Sequence, residues 1–151
     1  MSERTTEHAT FVIERTYPAD PARVFRAFAD VEEKAKWFGP DDLGAAQIDL
    51  DFRVGGAERF TADGPDGARY TYSALYQDIV EGERIVYTYE MFRGEDRISV
   101  SLSTIELRPA EGGTALAYTE QGAYLDGHDG PGPREHGTRI GLERIDQALA
   151  G

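Results

Sequence analysis

Four side chains have types and spacing that could support binding or catalysis. Tyr87 and Tyr89 lie two residues apart, as do Tyr118 and Glu120, and both pairs fall in stretches with strand-like alternation. Alternate residues share one face of a strand, so each pair is predicted to point the same way. Burying an unpartnered phenol costs roughly 1–3 kcal/mol, and a buried carboxylate costs more. We expect the four to line a partly polar cavity; the alternative is that the tyrosines only pack in a core.

Acids and bases, rather than nucleophiles, are the groups available for catalysis. The sequence has no cysteine and no Gly-x-Ser-x-Gly motif, which excludes a thiol nucleophile and argues against a serine elbow. Proton transfer and orientation of a substrate are the forms of catalysis that remain, and the candidate residues are Glu120, Tyr118 and His128.

Residues near His128 have side chains that could bind a divalent ion. They are Asp126, Asp129, Glu135 and His136. Their spacing matches neither a zinc-protease motif nor a calcium loop. We therefore predict a solvated loop at this place, with no metal and no cofactor.

Trp37 and Phe38 lie where a short predicted helix must end, because Gly39 and Pro40 cannot continue it. One interpretation places the two rings at the mouth of a cavity. The other makes them a staple that fastens the helix pair to a sheet. The sequence supports both interpretations equally.

Two short helices are predicted after a first strand. The β-branched and aromatic run Phe11–Tyr17 predicts the strand. Asp20 can cap a helix that has Pro21 at its first position. Asp30 can cap a second helix, with Glu33 in the capping-box position.

A series of antiparallel strands and one long helix are predicted to follow. Short turns rich in glycine separate alternating segments up to Gln121, although the inward face of Tyr70–Val80 is ambiguous. The glycine-rich segment 122–132 predicts a loop that acts as a lid. Pro133–Ala150 predicts the helix, with Thr138 and Leu142 on its apolar stripe.

The composition limits the partners and location of the chain. It has 151 residues, 28 acidic against 16 basic, and a formal net charge of −12. Nucleic acids and anionic membranes need a basic patch that is missing. No apolar run approaches the ~20 residues of a membrane span. The lack of cysteines and of an apolar leader favours the cytoplasm.

These elements predict an α+β fold in which a curved antiparallel sheet of about seven strands wraps around the C-terminal helix. We expect residues 1–9 to be disordered and 10–151 to form one domain. A gap between sheet and helix would hold a ligand. The expected ligand-binding residues are Trp37, Phe38, Tyr72, Tyr87, Tyr89, Tyr118, Glu120, Tyr124, Thr138 and Leu142.

Several sequence blocks resemble one known superfamily. They are Arg15–Phe25, Trp37–Pro40, Asp51–Gly56, Thr119–Gly122 and Leu125–Gly127. In these blocks the chain resembles the SRPBCC superfamily, which includes the START-related and birch-pollen-allergen-like helix-grip proteins. Within it, the likeness is greatest to homologues of the activator of heat-shock-protein-90 ATPase.

The resemblance implies a single helix-grip domain and several kinds of function. The leading expectation is a protein, monomeric or homodimeric, that binds a small hydrophobic molecule. The alternatives are a cyclase- or hydrolase-like enzyme using the same cavity, and a co-chaperone-like interaction module. Many relatives have Gly-Trp early in the last helix, whereas this chain has Gly137-Thr138. A smaller side chain at 138 predicts a larger gap.

Overall fold

One antiparallel sheet of seven strands carries the fold, in a computed structural model that describes residues 4–39 and 44–150. The strand order is β1-β7-β6-β5-β4-β3-β2, and every neighbouring pair is antiparallel. The strands are β1 (Thr6–Tyr17), β2 (Asp49–Leu50), β3 (Ala57–Asp63), β4 (Arg69–Val80), β5 (Arg84–Arg93), β6 (Asp96–Ala110) and β7 (Gly113–Leu125).

The helices are α1 (Pro21–Ala29), α2 (Val31–Lys34) and α3 (Pro131–Ala150) within the described ranges, with a 3-10 turn at Ala45–Gln47. The helix α3 buries Leu142, Ile145 and Ala148 in the core between itself and the sheet. The predicted α+β helix-grip arrangement is therefore confirmed.

The two short helices begin where their caps were predicted. The Asp20 carboxylate accepts a hydrogen bond from the Arg23 backbone N–H, and Pro21 occupies the first position of α1. The Asp30 carboxylate accepts from the N–H groups of Glu32 and Glu33. Each cap satisfies backbone donors that a helix start leaves unpaired. Pro40, expected to end the second helix, lies outside the described residues.

The first strand begins earlier than predicted. Thr6–Ala9 pair with residues 122–125 of β7, so the expectation of disorder over 1–9 is wrong for residues 6–9. Pairing with a neighbouring strand satisfies the backbone of a segment whose side chains are polar. Residues 1–3 lie outside the described part of the chain.

The loop predicted over residues 122–132 is shorter than expected. The strand β7 continues to Leu125 and α3 begins at Pro131, so residues 126–130 alone connect them. Gly122 lies inside the strand, where an added Cβ would come within 3.1 Å of the Tyr124 ring and 3.2 Å of Ser101 Oγ. This glycine therefore permits a close approach in the sheet instead of marking a turn.

A β-bulge between Tyr76 and Asp78 resolves which face of β4 points inward. Tyr72 and Tyr76 are buried, whereas Leu75 on the opposite face is 43% exposed. Because the bulge adds one residue, Ile79 returns to the core face and packs against the core.

None of the helices in the described ranges combines the length and apolar character that crossing a membrane requires.

Candidate functional site

A cavity of about 300 Å³, partly open to solvent, lies between the sheet and α3. Strands β3, β4, β5 and β7 form one wall and α3 forms the other, while the segment after α2 closes one end. The lining residues are Trp37, Phe38, Gly39, Phe60, Tyr72, Tyr87, Tyr89, Met91, Tyr118, Asp129, Pro133, Arg134, Gly137, Thr138, Gly141 and Leu142.

A continuous belt of aromatic rings forms the apolar wall of this cavity. The ring centroids of Phe38 and Tyr72 lie 5.2 Å apart, and those of Phe60 and Tyr72 lie 5.4 Å apart. The belt continues from Tyr72 to Tyr89 at 5.0 Å and from Tyr89 to Tyr87 at 6.0 Å. These are ordinary aromatic packing distances, so the rings hold one another in place.

Behind the aromatic wall lies a buried carboxylate, Glu120. The Tyr118 hydroxyl donates to Oε1 at 2.7 Å, and the Tyr89 hydroxyl is 2.8 Å from both carboxylate oxygens. Ser103 Oγ donates to Oε1 at 3.3 Å. The carboxylate is fully buried and does not line the cavity. Its hydrogen bonds replace the solvation lost on burial.

Arg134 links this carboxylate to the cavity surface. Its Nη1 lies 3.7 Å from Glu120 Oε2 and donates to the Tyr89 hydroxyl at 3.0 Å. Its Nη2 donates to Asp129 Oδ2 at 2.7 Å and to Ser99 Oγ at 2.8 Å. The guanidinium also lies over the ring of Tyr124. Arg134 is therefore held on every side while part of it faces the cavity.

The charge of Arg134 is secured by its surroundings. Burial alone would lower its pKa, but interactions with Tyr89, Asp129 and Glu120 outweigh burial, and the pKa is raised. The guanidinium stays protonated across the accessible pH range.

Burial raises the pKa of the phenols on the cavity wall. Desolvation is the largest cause for Tyr72, Tyr89 and Tyr118, and the nearby carboxylates act in the same direction. The phenols therefore stay neutral at physiological pH. In that state they donate hydrogen bonds and do not act as bases.

A second buried carboxylate, Glu58, lies on the same face of the sheet at the other side of the aromatic belt. Its Oε1 accepts from Lys34 Nζ at 2.6 Å and from the Tyr76 hydroxyl at 2.5 Å. Lys34 Nζ also lies 4.5 Å from the centre of the Phe38 ring. Beside this group is a void of about 10 Å³, lined in part by Lys34 and Tyr76, which is the space of about one water.

The structure brings most of the predicted ligand-binding residues to one cavity. The eight that line it are Trp37, Phe38, Tyr72, Tyr87, Tyr89, Tyr118, Thr138 and Leu142. The other two, Glu120 and Tyr124, are buried behind the wall. Tyr124 packs against Arg134.

The three candidates for proton transfer do not form one site. Tyr118 and Glu120 are in contact, but His128 is exposed and borders a separate surface depression with Asp126 and Arg4. No residue of that depression lines the cavity. Among residues 4–39 and 44–150, no three histidine, aspartate or glutamate side chains are grouped as a metal site would require.

Trp37 contacts both the helix pair and the cavity. Its Nε1 donates to the Ala27 backbone oxygen at 2.8 Å, and its ring packs edge-on against Phe28, which fastens the segment after α2 to α1. The same ring borders the cavity.

Sequence reasoning missed Glu58 and the two cations that pair with the buried glutamates, Lys34 and Arg134. For Glu58 a signal existed, because it shares strand parity with Phe60 and so falls on the apolar face of β3. For Lys34 and Arg134 no comparable signal exists. Both lie in helices, and their partners come from distant strands.

The curved sheet gripping α3 defines this chain as an α+β protein of the helix-grip class. A family model described as activator of Hsp90 ATPase homolog 1-like protein matches residues 18–150. The chain therefore belongs to this family. Among curated protein sequences, none matches this chain.

Solved structures of bacterial proteins are similar over nearly the whole chain. A Rhizobium leguminosarum protein is 45% identical, with a TM-score of 0.93 and 99% of each chain covered. Mll3558 from Rhizobium loti is 44% identical, with a TM-score of 0.88, covering 95% of this chain and 99% of that chain. CV1439 from Chromobacterium violaceum is 27% identical, with a TM-score of 0.76, covering 94% and 97%.

Proposed function

We propose that this protein binds a small, mainly apolar molecule in the cavity between the sheet and α3. The observation that carries the proposal is the wall itself: about 300 Å³ of space is bordered mostly by aromatic and aliphatic side chains. Ligand pockets typically measure about 300–1,000 Å³ and combine apolar walls with a few polar groups. The volume favours a compact ligand of one or two rings.

Binding is favoured over catalysis by the state of the polar groups. The carboxylate of Glu120 accepts hydrogen bonds from Tyr89, Tyr118 and Ser103 and does not border the cavity. The raised pKa of Tyr89 and of Tyr118 keeps both phenols protonated. A general base needs a basic lone pair within reach of the substrate; the neutral phenols of Tyr89 and Tyr118 are weak bases, and Glu120 does not border the cavity.

An interaction module is the less supported alternative. Its surface would be the outer face of the sheet, where Val12, Val100 and Leu102 are exposed. Val100 and Leu102 share one face of β6, but each is little more than a third exposed, and exposed apolar side chains are normal on a protein surface. We place the binding function in the cytoplasm, because the composition is free of cysteine. We further propose that the protein acts as a monomer or a homodimer.

Filling the cavity provides the test. Thr138 lines the cavity from α3, so the substitution Thr138→Trp puts an indole into the space that a ligand would occupy. We expect wild-type protein to bind 1-naphthalenemethanol in isothermal titration calorimetry. The variant should bind at least ~10-fold more weakly, since steric exclusion removes the buried contact area, while its melting temperature stays equal or rises.

The matched control is His136→Trp. His136 is exposed on the same helix and does not line the cavity, so it tests the effect of adding an indole to α3. Its affinity for the probe should equal that of wild type. Full affinity in Thr138→Trp would contradict the proposed function, and so would failure of wild type to bind this alcohol and also its amine and carboxylate analogues.

A further inference from the structure

The cavity has an unusual charge composition for a site that takes apolar molecules. Within the described part of the chain, two of its lining residues are charged, Asp129 and Arg134. They are bonded to each other at 2.7 Å. The charge that a ligand would meet therefore depends on how far each of these side chains is exposed and on the other groups to which each is bonded.

The guanidinium of Arg134 is already shared by two carboxylates. Asp129 Oδ2 lies 2.7 Å from Nη2, and Glu120 Oε2 lies 3.7 Å from Nη1. The remaining contacts of Arg134 go to the Tyr89 hydroxyl and to Ser99. One cation facing two anions leaves the group net negative. An anionic ligand would have to compete with both carboxylates for Arg134.

The carboxylate of Asp129 is the more open member of the group. Its side chain is 21% exposed, against 10% for Arg134 and 0% for Glu120. Besides Arg134 it accepts a hydrogen bond from the Gly130 N–H through Oδ1. A carboxylate has about four acceptor positions, so Asp129 can accept a further hydrogen bond from a molecule in the cavity.

The aromatic belt favours positive charge as well. Two cations of the protein already lie against its rings: Lys34 Nζ is 4.5 Å from the centre of Phe38, and Arg134 Cζ is 5.5 Å from that of Tyr89. The faces of aromatic rings are electrostatically negative and attract cations. The chain as a whole carries a formal net charge of −12, which adds a field of the same sign.

We infer that the cavity selects molecules whose apolar body carries an amine over molecules whose apolar body carries a carboxylate, with Asp129 as the specificity-determining residue. This inference rests on the proposed binding function. An uncharged alcohol of the same shape falls between the two, because it avoids repulsion but gains less from the rings and from Asp129.

Three probes of one skeleton test the order: 1-naphthalenemethylamine, 1-naphthalenemethanol and 1-naphthoate, titrated calorimetrically at neutral pH and low salt. We expect the ammonium to bind ~10-fold or more tightly than the carboxylate, the combined size of a cation–ring contact and a removed like-charge contact. The alcohol should lie between them.

The substitution Asp129→Asn assigns the preference to one side chain. It removes the negative charge, and the ratio of ammonium to carboxylate affinity should fall ~5-fold or more. Asp126→Asn is the matched control, because it makes the same charge change in the same turn at a residue that does not line the cavity. Its affinity ratio should stay at the wild-type value.

Carboxylate affinity equal to or above that of the ammonium in wild type would overturn the inference and leave the proposed function standing. An unchanged ratio in Asp129→Asn would remove Asp129 from its role and likewise contradict the inference. If none of the three probes binds, the proposed function fails and the inference fails with it.

Discussion

Two buried glutamates on the same face of the sheet, Glu58 and Glu120, have very different surroundings. Glu58 pairs with a single lysine at 2.6 Å and one phenol, beside a void of about 10 Å³. Glu120 has three hydroxyl donors and an arginine at 3.7 Å that it shares with Asp129, next to a cavity of about 300 Å³. Glu58 has one cation as its partner, and we call the Lys34–Glu58 ion pair the closed pair. Glu120 interacts with several groups, and we call Glu120 together with these partners the network.

The contrast shows two ways in which one sheet can hold a buried carboxylate. A single buried ion pair depends on both members, since removing one leaves a charge without compensation. A network in which each charge has several partners tolerates the loss of one of them better. The closed pair joins α2 to β3, and the network supports the wall of the cavity.

Alkaline pH should destabilise the surroundings of both glutamates, and this is the largest effect that we expect. Burial raises the pKa of seven tyrosines: that of Tyr124 to about 12, and those of Tyr17, Tyr72, Tyr76, Tyr87, Tyr89 and Tyr118 further above their ordinary value of 10.0. A phenol whose pKa is higher in the folded than in the unfolded protein contributes fully to stability at pH values below its unfolded-state pKa. This contribution is lost as the pH rises through its folded-state pKa. Stability should therefore fall above pH ~10, by up to about 1.4 kcal/mol per pH unit for each phenol.

Chemical denaturation followed by circular dichroism at increasing pH measures this loss. Tyrosinate absorbance recorded on the same samples should rise together with unfolding. Ionisation of most tyrosines near pH ~10 in a protein that stays folded would contradict the prediction.

The isosteric pair Glu58→Gln and Glu120→Gln tests the comparison directly. Glu58→Gln leaves the buried Lys34 ammonium without a counter-charge and should cost about 3–5 kcal/mol. Glu120→Gln leaves Arg134 bonded to Asp129, and we expect a smaller loss of about 1–2 kcal/mol. Urea denaturation gives both values.

A second substitution separates charge from packing in the closed pair. Adding Lys34→Met to Glu58→Gln removes the uncompensated charge and should restore part of the lost stability. Equal losses in the two glutamine variants would show that the two regions do not differ in the way described.

Trp37 borders both spaces, and its substitution should have the smallest effect. Trp37→Phe keeps a ring in the wall but loses the hydrogen bond from Nε1 to the Ala27 oxygen. We expect a loss of about 0.5–1.5 kcal/mol, with probe affinity reduced less than in Thr138→Trp. An unchanged melting temperature with lost binding would show that Trp37 contributes to the cavity and not to the staple.

The inward parity of the cavity wall was predictable because it follows from strand alternation. Tyr87, Tyr89 and Tyr118 share faces with apolar neighbours, and the structure places all three on the cavity wall. Tyr72 was ambiguous, since the bulge after Tyr76 changes the parity of the strand and no residue type announces it. The glycine content of residues 122–132 was misleading, because Gly122 permits close packing within β7.

Local residue patterns were sufficient to predict the order of elements, the helix caps at Asp20 and Asp30, and the family to which the chain belongs. These properties depend on local backbone preferences and on the period of apolar residues. Tertiary structure alone decided that Lys34 meets Glu58, 24 residues away, and that Arg134 meets Glu120. Such pairings depend on how the sheet curves and where α3 crosses it, which is a property of the whole packed core and not of any one segment.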